Sequence, residues 1–544
     1  MKATRRDFVV TSAKSLVALA GAPAFIRRQG THDLVIRGGE LFDGSGEPGR
    51  EGDIAIAAGR IVAMQPRIAG RGTEEIDARG LAVAPGFVDL HSHGDGGLRD
   101  DPRMESLVRQ GITTIVVGQD GSSRAEGSGL PAGAPGAFSA MLASLESAGP
   151  AVNLLSMIGL GSVRGRVVGN NDRPATPDEL RSMVAMVEAA LAEGACGASS
   201  GLEYTPGAFA SPEELIALCT PLAARRLPYA THMRNEDDRL LDSIDESIAV
   251  ARGAGCPLQI SHLKTQGPRN WSKLDTVFSR VEAAAAAGLD VAFDRYPYIA
   301  YATGLTNLFP VWSRDGGTDA FLARLADPAV APRIRAETVA KVDLIGGWGN
   351  VHISSVRAAE DRAAEGKRLG TYATSISTDP YELTVAMLGR NRGSIGMVGF
   401  AMSEENLDRI LAHPRGMAAS DGGSFAIEGP TRSGSPHPRG LGTFPRVLGR
   451  YVRERKALTL PQAVRKMSAY PASRIRLADR GRLATGLAAD VVVFDPATVA
   501  DRATFEEPFQ YPVGVAAVII NGVVALRDGQ RNSRHSGKAL RPGA

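Results

Sequence analysis

The chain has 544 residues, 43% of them hydrophobic and 22% charged, with a formal net charge of +3. That length predicts one large domain with a satellite, and the small net charge, mixed along the chain, excludes the basic patterning of a nucleic-acid binder. The three cysteines, Cys196, Cys219 and Cys256, are too few and too odd in number for a disulfide framework and are expected to be buried as small hydrophobes.

Residues 1–30 read as an export signal. "TRRDFVV" sets Arg5-Arg6 ahead of an apolar stretch from Phe8 to Ala24 that closes on "APA" at 22–24. A charged start, a short apolar region and a small-residue site describe a cleaved signal rather than a membrane span. The paired arginines resemble a twin-arginine signal. The expectation is an exported, periplasmic protein that begins near Phe25 and has no stable membrane anchor. No other segment approaches the ~18 apolar residues that span a bilayer.

Beyond the signal, "HDLVIRGGELFDGSG" and "EGDIAIAAGRIVAM" read as short strands joined by glycine-rich turns. A matching pair, "DVVVFDP" and "VAAVIINGVVALRDG", lies near the far end. The shared character predicts a small β-sandwich module built from both chain ends, residues 31–85 and 479–529. The tail at 530–544 lacks apolar periodicity and is expected to be disordered. The run Leu81–Val88 reads as one buried strand leading to His91 and His93. Helical spacing of Leu180, Met183, Val184, Val187 and Leu191 predicts a helix over 177–193, opened by Thr176-Pro177 and closed by Gly194.

Eight strand segments alternate with such patterns between residues 86 and 478: "VAPGFVDLHSH", "ITTIVVGQDG", "VNLLSMIGLGS", "GACGASSGLEY", "PYATHMRNE", "PLQISHLK", "LDVAFDRYPY" and "GMAASDGG". Eight units predict an α/β fold, a (β/α)8 TIM-type barrel with its chemistry at the C-terminal strand ends. The interval from about 301 to 410 exceeds one helix and its loops, so an inserted subdomain is expected there.

The strand ends carry the functional signal. Strand one closes on His91 and His93, strand two on Asp120, strand four on Glu203 and Tyr204, strand five on His232, strand six on His262 and Lys264, strand seven on Arg295 and Tyr296, and strand eight on Asp421. In a barrel these ends converge on one mouth. Four imidazoles with carboxylates form a nitrogen and oxygen ligand set suited to zinc or a related divalent cation, one or two per site.

The order H-x-H, His after strand five, His after strand six and Asp after strand eight resembles the amidohydrolase superfamily. Within it the chain is similar to the N-acyl-D-amino-acid deacylases, through "GLEYTPGAFAS", "ATHMRNE", "ISHLK", "DRYPYIA", "ASDGG" and "PHPRGLGTFPRVLG". The resemblance runs from about residue 32 to 527. It implies metal-dependent hydrolysis of a linear amide, an N-acyl-D-amino acid as the small-molecule substrate, His91, His93, His232 and His262 as ligands, and Asp421 as both ligand and proton carrier. Arg439 in "PHPRG" matches the family's substrate-binding arginine. Arg432 is its rival, because the loop before Arg439 is longer than is usual in the family.

One departure bears on the bridging ligand. The best-known deacylases carry a cysteine at the end of strand two, where this chain has Asp120. Other amidohydrolases bridge two metals with a carboxylated lysine from strand four, where this chain has Glu203. Glu203 is longer and is favoured as the bridge, with Asp120 the alternative. Lys264, two residues past His262, is expected to point into the mouth and hold the substrate carboxylate. Tyr296 or Tyr298 is expected to donate to the developing oxyanion, and Tyr204 to form a pocket wall. A cyclic amidase of the hydantoinase or dihydroorotase kind, or a metal-dependent dipeptidase, is the alternative enzyme. Outside enzymes, the alternative is a metal-stabilised binding protein that has lost catalysis.

Overall fold

Parallel strands form at Phe87–Asp89, Ile112–Val117, Asn153–Ser156 (continuing as Ile158–Gly159), Ala198–Gly201, Tyr229–His232, Leu258–Ile260, Val291–Arg295 and Gly416–Ala418. The coordinates are a computed structural model that describes residues 32–123 and 136–543, so the segment read as an export signal lies outside the described residues. Each strand pairs with the next in chain order. The ring closes at the ligand-bearing end, where Asp421 N donates to His91 O at 2.8 Å and His93 N to Gly422 O at 2.9 Å. Val88, Leu90, Val116, Leu155, Met157, Ala230, Ala292 and Met417 pack inside it, so the barrel interior is a core and not a pore.

Helices cover the outside. In Pro177–Ala192 the Thr176 hydroxyl accepts from Glu179 N, the Glu179 side chain accepts from Thr176 N, and Pro177 takes a position where no N–H is needed. Met183, Val187 and Leu191 are the buried stripe of that helix.

The run Leu81–Val88, expected as one strand, is two. Ala82–Pro85 pairs into the end module and Phe87–Asp89 opens the barrel. Pro85 has no N–H to continue a ladder. At Gly86 a Cβ would lie 2.2 Å from the Thr113 side chain, so only glycine lets the chain turn there.

Both chain ends build the satellite. His32–Leu41, Arg50–Ala57, Arg60–Gln65, Gly72–Asp77 and Ala82–Pro85 share one sheet with Val491–Phe494, Val515–Ile520 and Val523–Arg527. The first strand pairs with Gly72–Asp77 along its first half and with Ala82–Pro85 at Glu40 and Leu41. Its ladder with Arg50–Ala57 shifts register between Ile36 and Gly39, which bends the sheet over. Leu34, Ile36, Ile54, Val491, Val493 and Ile519 then fill one interior from both ends.

Between the seventh and eighth barrel strands lies a subdomain with its own core, including Leu305, Ile334, Val342 and Met387. Its strands Ala300–Gly304, Gly396–Phe400 and Val351–Ser355 pair antiparallel, with Thr318–Ala326, Ala331–Leu344, Leu369–Ser375 and Pro380–Arg390 as helices.

The tail is not the disordered segment expected. Gln530–Arg531 extends the end-module sheet, Leu154 N donates to Lys538 O at 2.9 Å, and Leu540 N donates to Leu154 O at 2.8 Å. Leu540 is buried with Ile475 and Leu477 beneath the barrel interior. The third strand pairs with the fourth at Ile158 and Gly159, and Ser156 O accepts from Cys196 N at 3.0 Å, so the backbone edge at Leu154 is left for the tail to cover. Apolar periodicity cannot report a segment held by backbone pairing and one anchoring leucine. Leu540→Ala is therefore expected to destabilise the protein by about 2 kcal/mol, read as a lower guanidinium midpoint. An unchanged midpoint would show that the tail is not anchored.

Candidate active site

The four histidines and both candidate bridging carboxylates meet at the barrel mouth. Asp120 stands at the centre. Its Oδ2 lies 3.5 Å from His91 Nε2 and 3.5 Å from His93 Nε2. Its Oδ1 lies 3.6 Å from His262 Nε2 and 4.0 Å from His232 Nδ1. Asp421 Oδ1 completes the first group, 3.1 Å from His93 Nε2 and 3.5 Å from His91 Nε2. Donors bound at ~2.0–2.2 Å in a tetrahedron stand roughly 3.3–3.6 Å apart, so the spacing suits a divalent cation. His91 Nε2 and Asp120 Oδ1 are buried without a hydrogen-bond partner, which a cation would satisfy. The groups His91–His93–Asp120–Asp421 and Asp120–His232–His262 share one residue, Asp120.

Glu203 is not the bridge that was expected. One of its oxygens lies 3.5 Å from His232 Nε2, on the ring nitrogen that faces away from Asp120, and accepts from Asn307 Nδ2 at 2.9 Å. It groups with His232 and Glu236, not with the histidines of strand one. The longer side chain reaches sideways to the subdomain. The shorter one succeeds because its loop sits directly over the mouth. Asp120 takes the left-handed backbone conformation (φ 52°), and its carbonyl presses so close to Gly201 that a Cβ there would lie 2.2 Å away. Ser199 accepts from Gly121 N at 3.0 Å and donates to Gly118 O at 2.6 Å, pinning the turn.

Lys264 also departs from expectation. His262 is left-handed (φ 37°) and ends its strand, so strand alternation does not extend to residue 264. Lys264 Nζ donates to both oxygens of Glu236, at 2.6 and 2.7 Å, and lies 2.8 Å from His262 Nδ1. Its charge is engaged and buried, which leaves it unsuited to a substrate carboxylate. Glu236, passed over in the sequence reading, lies 3.1 Å from His262 Nδ1. Lys264 and Glu236 together occupy the Nδ1 edge of the His262 ring and leave Nε2 facing Asp120. Asp294 Oδ1 lies 3.4 Å from His91 Nδ1. The signals were present in "THMRNE" and "FDRYPY", whose carboxylates flank ligand-bearing strand ends.

Arg439 Nη1 donates to Asp421 Oδ2 at 2.7 Å, and its guanidinium lies 4.7 Å from the centre of the Tyr296 ring. Arg432 is exposed, donates to Ile427 O and stacks on Phe509, whereas Arg439 meets the ligand cluster through Asp421. Tyr296 lies with its ring 6.5 Å from that of His262 and its hydroxyl buried without a partner. The Tyr298 hydroxyl faces Pro438 O and Asp501 instead. Tyr204 packs its ring 4.7 Å from that of His232. The three cysteines are free and buried, and Cys196 lies in the barrel interior.

Electrostatics bind the cluster together. Burial opposes charge on Asp120, but His91 and His262 hold its carboxyl well below the ordinary range. Burial likewise opposes charge on Asp421, and Arg439 and His91 outweigh it. For Glu203, Lys341 and His232 overcome burial and bring the pKa to about 2. Burial pulls His91 down, yet the Asp120 and Asp421 carboxylates raise it well above its usual value. The mouth thus presents carboxylates in their ionised form.

Comparison with known proteins agrees with this geometry. A family model described as "Amidohydrolase family" matches residues 74–526. The chain belongs to the amidohydrolase family. It is 36% identical over 525 residues to an N-acyl-D-glutamate deacylase of Alcaligenes xylosoxydans xylosoxydans, covering 94% of this chain and 96% of that one. The crystal structure of an N-acyl-D-glutamate deacylase from Bordetella bronchiseptica, complexed with zinc and a phosphonate mimic of the tetrahedral intermediate, matches with a TM-score of 0.79 at 34% identity, over 94% of this chain and 100% of that chain. An L-hydantoinase from Arthrobacter aurescens, at 17% identity and a TM-score of 0.56 over 94% of this chain and 100% of that one, shares the fold.

Within this amidohydrolase site, Asp120→Asn is expected to lower the zinc bound per chain, measured by elemental analysis after dialysis, while Glu203→Gln retains it. The reverse pattern would return the bridge to Glu203. Glu236→Gln should weaken metal affinity about 10–100-fold, read by competition with a chelating dye. An unchanged affinity would remove Glu236 from any part in orienting His262.

Proposed function

We propose that this protein deacylates N-acyl-D-amino acids, hydrolysing the linear amide to a carboxylate and a free D-amino acid with one or two zinc-type cations. The observation that carries the reading is the pair of histidine groups sharing Asp120, with Asp421 held ionised by Arg439 at their edge. Its relatedness to N-acyl-D-glutamate deacylases supports the choice of a D-configured acyl-amino acid. His91, His93, His232, His262, Asp120 and Asp421 would hold the metal. What a divalent cation supplies there is hydroxide at neutral pH and an electron-withdrawing partner for the scissile carbonyl.

The protein's own groups handle binding and proton traffic. Asp421, ionised at neutral pH, accepts a proton from the attacking water and delivers it to the departing amine nitrogen. Arg439 carries five N–H donors and spends two contacts on Asp421 and Ala302 O, so donors remain for the substrate's α-carboxylate. The buried Tyr296 hydroxyl, which has no partner, would donate to the carbonyl oxygen as charge develops on it.

Export to the periplasm belongs to the same proposal. Arg5-Arg6, the apolar stretch and "APA" support it, and a folded-protein route suits an enzyme loaded with metal before export. No helix among the described residues is long and apolar enough to cross a membrane.

Metal-reconstituted protein should hydrolyse N-acetyl-D-amino acids and leave their L-enantiomers and cyclic amides untouched in a ninhydrin-based panel. Turnover of hydantoins or dihydroorotate alone would overturn the reading. Asp421→Asn should lower kcat about 10²–10⁴-fold, and wild-type rates in that variant would remove Asp421 from proton transfer. Changing Arg5-Arg6 to Lys-Lys should leave the unprocessed precursor in the cytoplasm. Normal processing in a fractionated cell would refute the twin-arginine route.

A further inference from the structure

His437 and Arg439 stand two residues apart in "PHPRG", and both reach the same strand of the inserted subdomain. That strand, Ala300–Gly304, is an edge of its sheet and pairs only with Gly396–Phe400. Two of its carbonyls are taken by side chains. His437 Nε2 donates to Ala300 O at 3.0 Å, and Arg439 Nη2 donates to Ala302 O at 3.5 Å. Carbonyls two residues apart on a strand point the same way, so the two side chains stand where a further strand would pair.

The other ring nitrogen of His437 faces Arg439. Its Nδ1 accepts from Arg439 N at 3.0 Å. The partners fix the tautomer, because a carbonyl oxygen only accepts and a backbone N–H only donates. His437 therefore carries a proton on Nε2 and a lone pair on Nδ1. A second proton would set two donors against each other at Arg439 N. Burial first, and then the Arg439 charge, hold its pKa well below the usual histidine value. The ring is also fixed in space. It meets Tyr298 at 5.2 Å and Phe505 at 5.0 Å between ring centres, both edge to face.

Arg439 is the first residue of the helix Arg439–Arg446, and Pro438 before it offers no side-chain cap. His437 supplies the missing acceptor for that first N–H. The effect reaches the far end of the side chain. An arginine has several rotatable bonds and holds one position only if its backbone and its head are both tied. Here the backbone is tied by His437, and the head by Asp421 at 2.7 Å and by the Tyr296 ring at 4.7 Å.

We propose that His437 is the positioning residue for Arg439, bridging the subdomain's edge strand to the arginine's backbone so that the guanidinium meets the substrate's α-carboxylate. The inference rests on the reading of Arg439 as the carboxylate's partner and adds what places it. His437 itself touches neither substrate nor metal ligand.

The test compares the N-acetyl-D-amino acid that wild-type zinc-loaded enzyme turns over fastest with its α-carboxamide, which keeps the scissile amide and lacks the carboxylate. Arg439→Gln should bring the two substrates close to equal. His437→Phe, which fills the ring's place and removes both bonds, should raise KM for the acid about 10–100-fold with a smaller fall in kcat. On the carboxamide it should change kcat/KM less than about threefold. His437→Asn, whose Oδ1 can still accept from Arg439 N, should recover most of the loss. In the Arg439→Gln background His437→Phe should add less than about threefold, because it acts only through the arginine. An equal loss on acid and carboxamide, or losses that multiply in the double variant, would overturn the proposal. If His437→Phe fails to fold, His437→Gln takes its place, since it keeps a donor for Ala300 O and loses the acceptor for Arg439 N.

Failure of the underlying reading looks different. If Arg439→Gln keeps the wild-type preference for the acid, or if wild type hydrolyses no acyl-amino acid, the carboxylate assignment falls and takes this proposal with it. If Arg439→Gln abolishes the preference and His437→Phe leaves it intact, the assignment stands and His437 is structural only. Nitrogen-15 histidine spectra of the metal-free protein give a readout without turnover. The signal that His437→Phe removes should be that of a neutral ring protonated on Nε2 at neutral pH. A doubly protonated ring, or one protonated on Nδ1, would overturn the bridge.

Discussion

One carboxylate facing two pairs of imidazoles is the constraint on which the barrel mouth depends. An aspartate has a single rotatable methylene, so its backbone must already lie near the barrel axis for its two oxygens to face His91 and His93 on one side and His232 and His262 on the other. The loop meets that demand through a left-handed residue and a bare Gly201 beneath it. His262 and Asp421 are also left-handed, at φ 37° and 49°. Each such residue stores of order 1–3 kcal/mol. The strain persists because strand closure between His91 and Asp421, and the Asp294 carboxylate accepting from His262 N at 2.8 Å, over-determine the backbone there.

Charge balance follows from the same constraint. Ionised carboxylates packed among imidazoles would repel one another, and each is matched. Asp421 has Arg439, Glu236 has Lys264, and Glu203 has Asn307 with Lys341 at 3.9 Å. Asp120 alone is matched only by imidazoles, so it is the anion most dependent on a cation at the centre. Deeper in the barrel, Asp89 accepts from Ser420 N and its hydroxyl and so ties strand one to the residue before Asp421. These pairs give direction more than stability, since buried ion pairs seldom exceed their desolvation cost by much.

The barrel and the four histidines were legible because two local signals coincide. Strands buried on both faces read as continuous apolar runs, and ligands at their ends interrupt those runs with polar residues. The choice between Glu203 and Asp120 was not legible. Side-chain length and strand order say nothing of how far a loop folds over the mouth, and the Gly201 contact that decides it joins residues distant in the chain. Lys264 shows the same limit, since period-two alternation holds only while the strand continues and His262 ends it. Asn307, Lys341 and Arg314 carried no signal at all, because their place depends on how the inserted subdomain docks. Leu81–Val88 was misread because an unbroken apolar run does not reveal that its two halves enter different sheets.

Once Asp120 serves both histidine pairs, Glu203 is released for another task. Its carboxylate takes Asn307 and lies near Lys341, its carbonyl takes Arg314, and all three partners come from the inserted subdomain. Strand four therefore supplies the joint between barrel and subdomain at the point where His232 is also held. A residue in that position couples the docking of the subdomain to the orientation of a ligand histidine. The inserted segment is then part of the site it covers. Variation in that segment among related barrels would change which side chains face the substrate and leave the four histidines where they are.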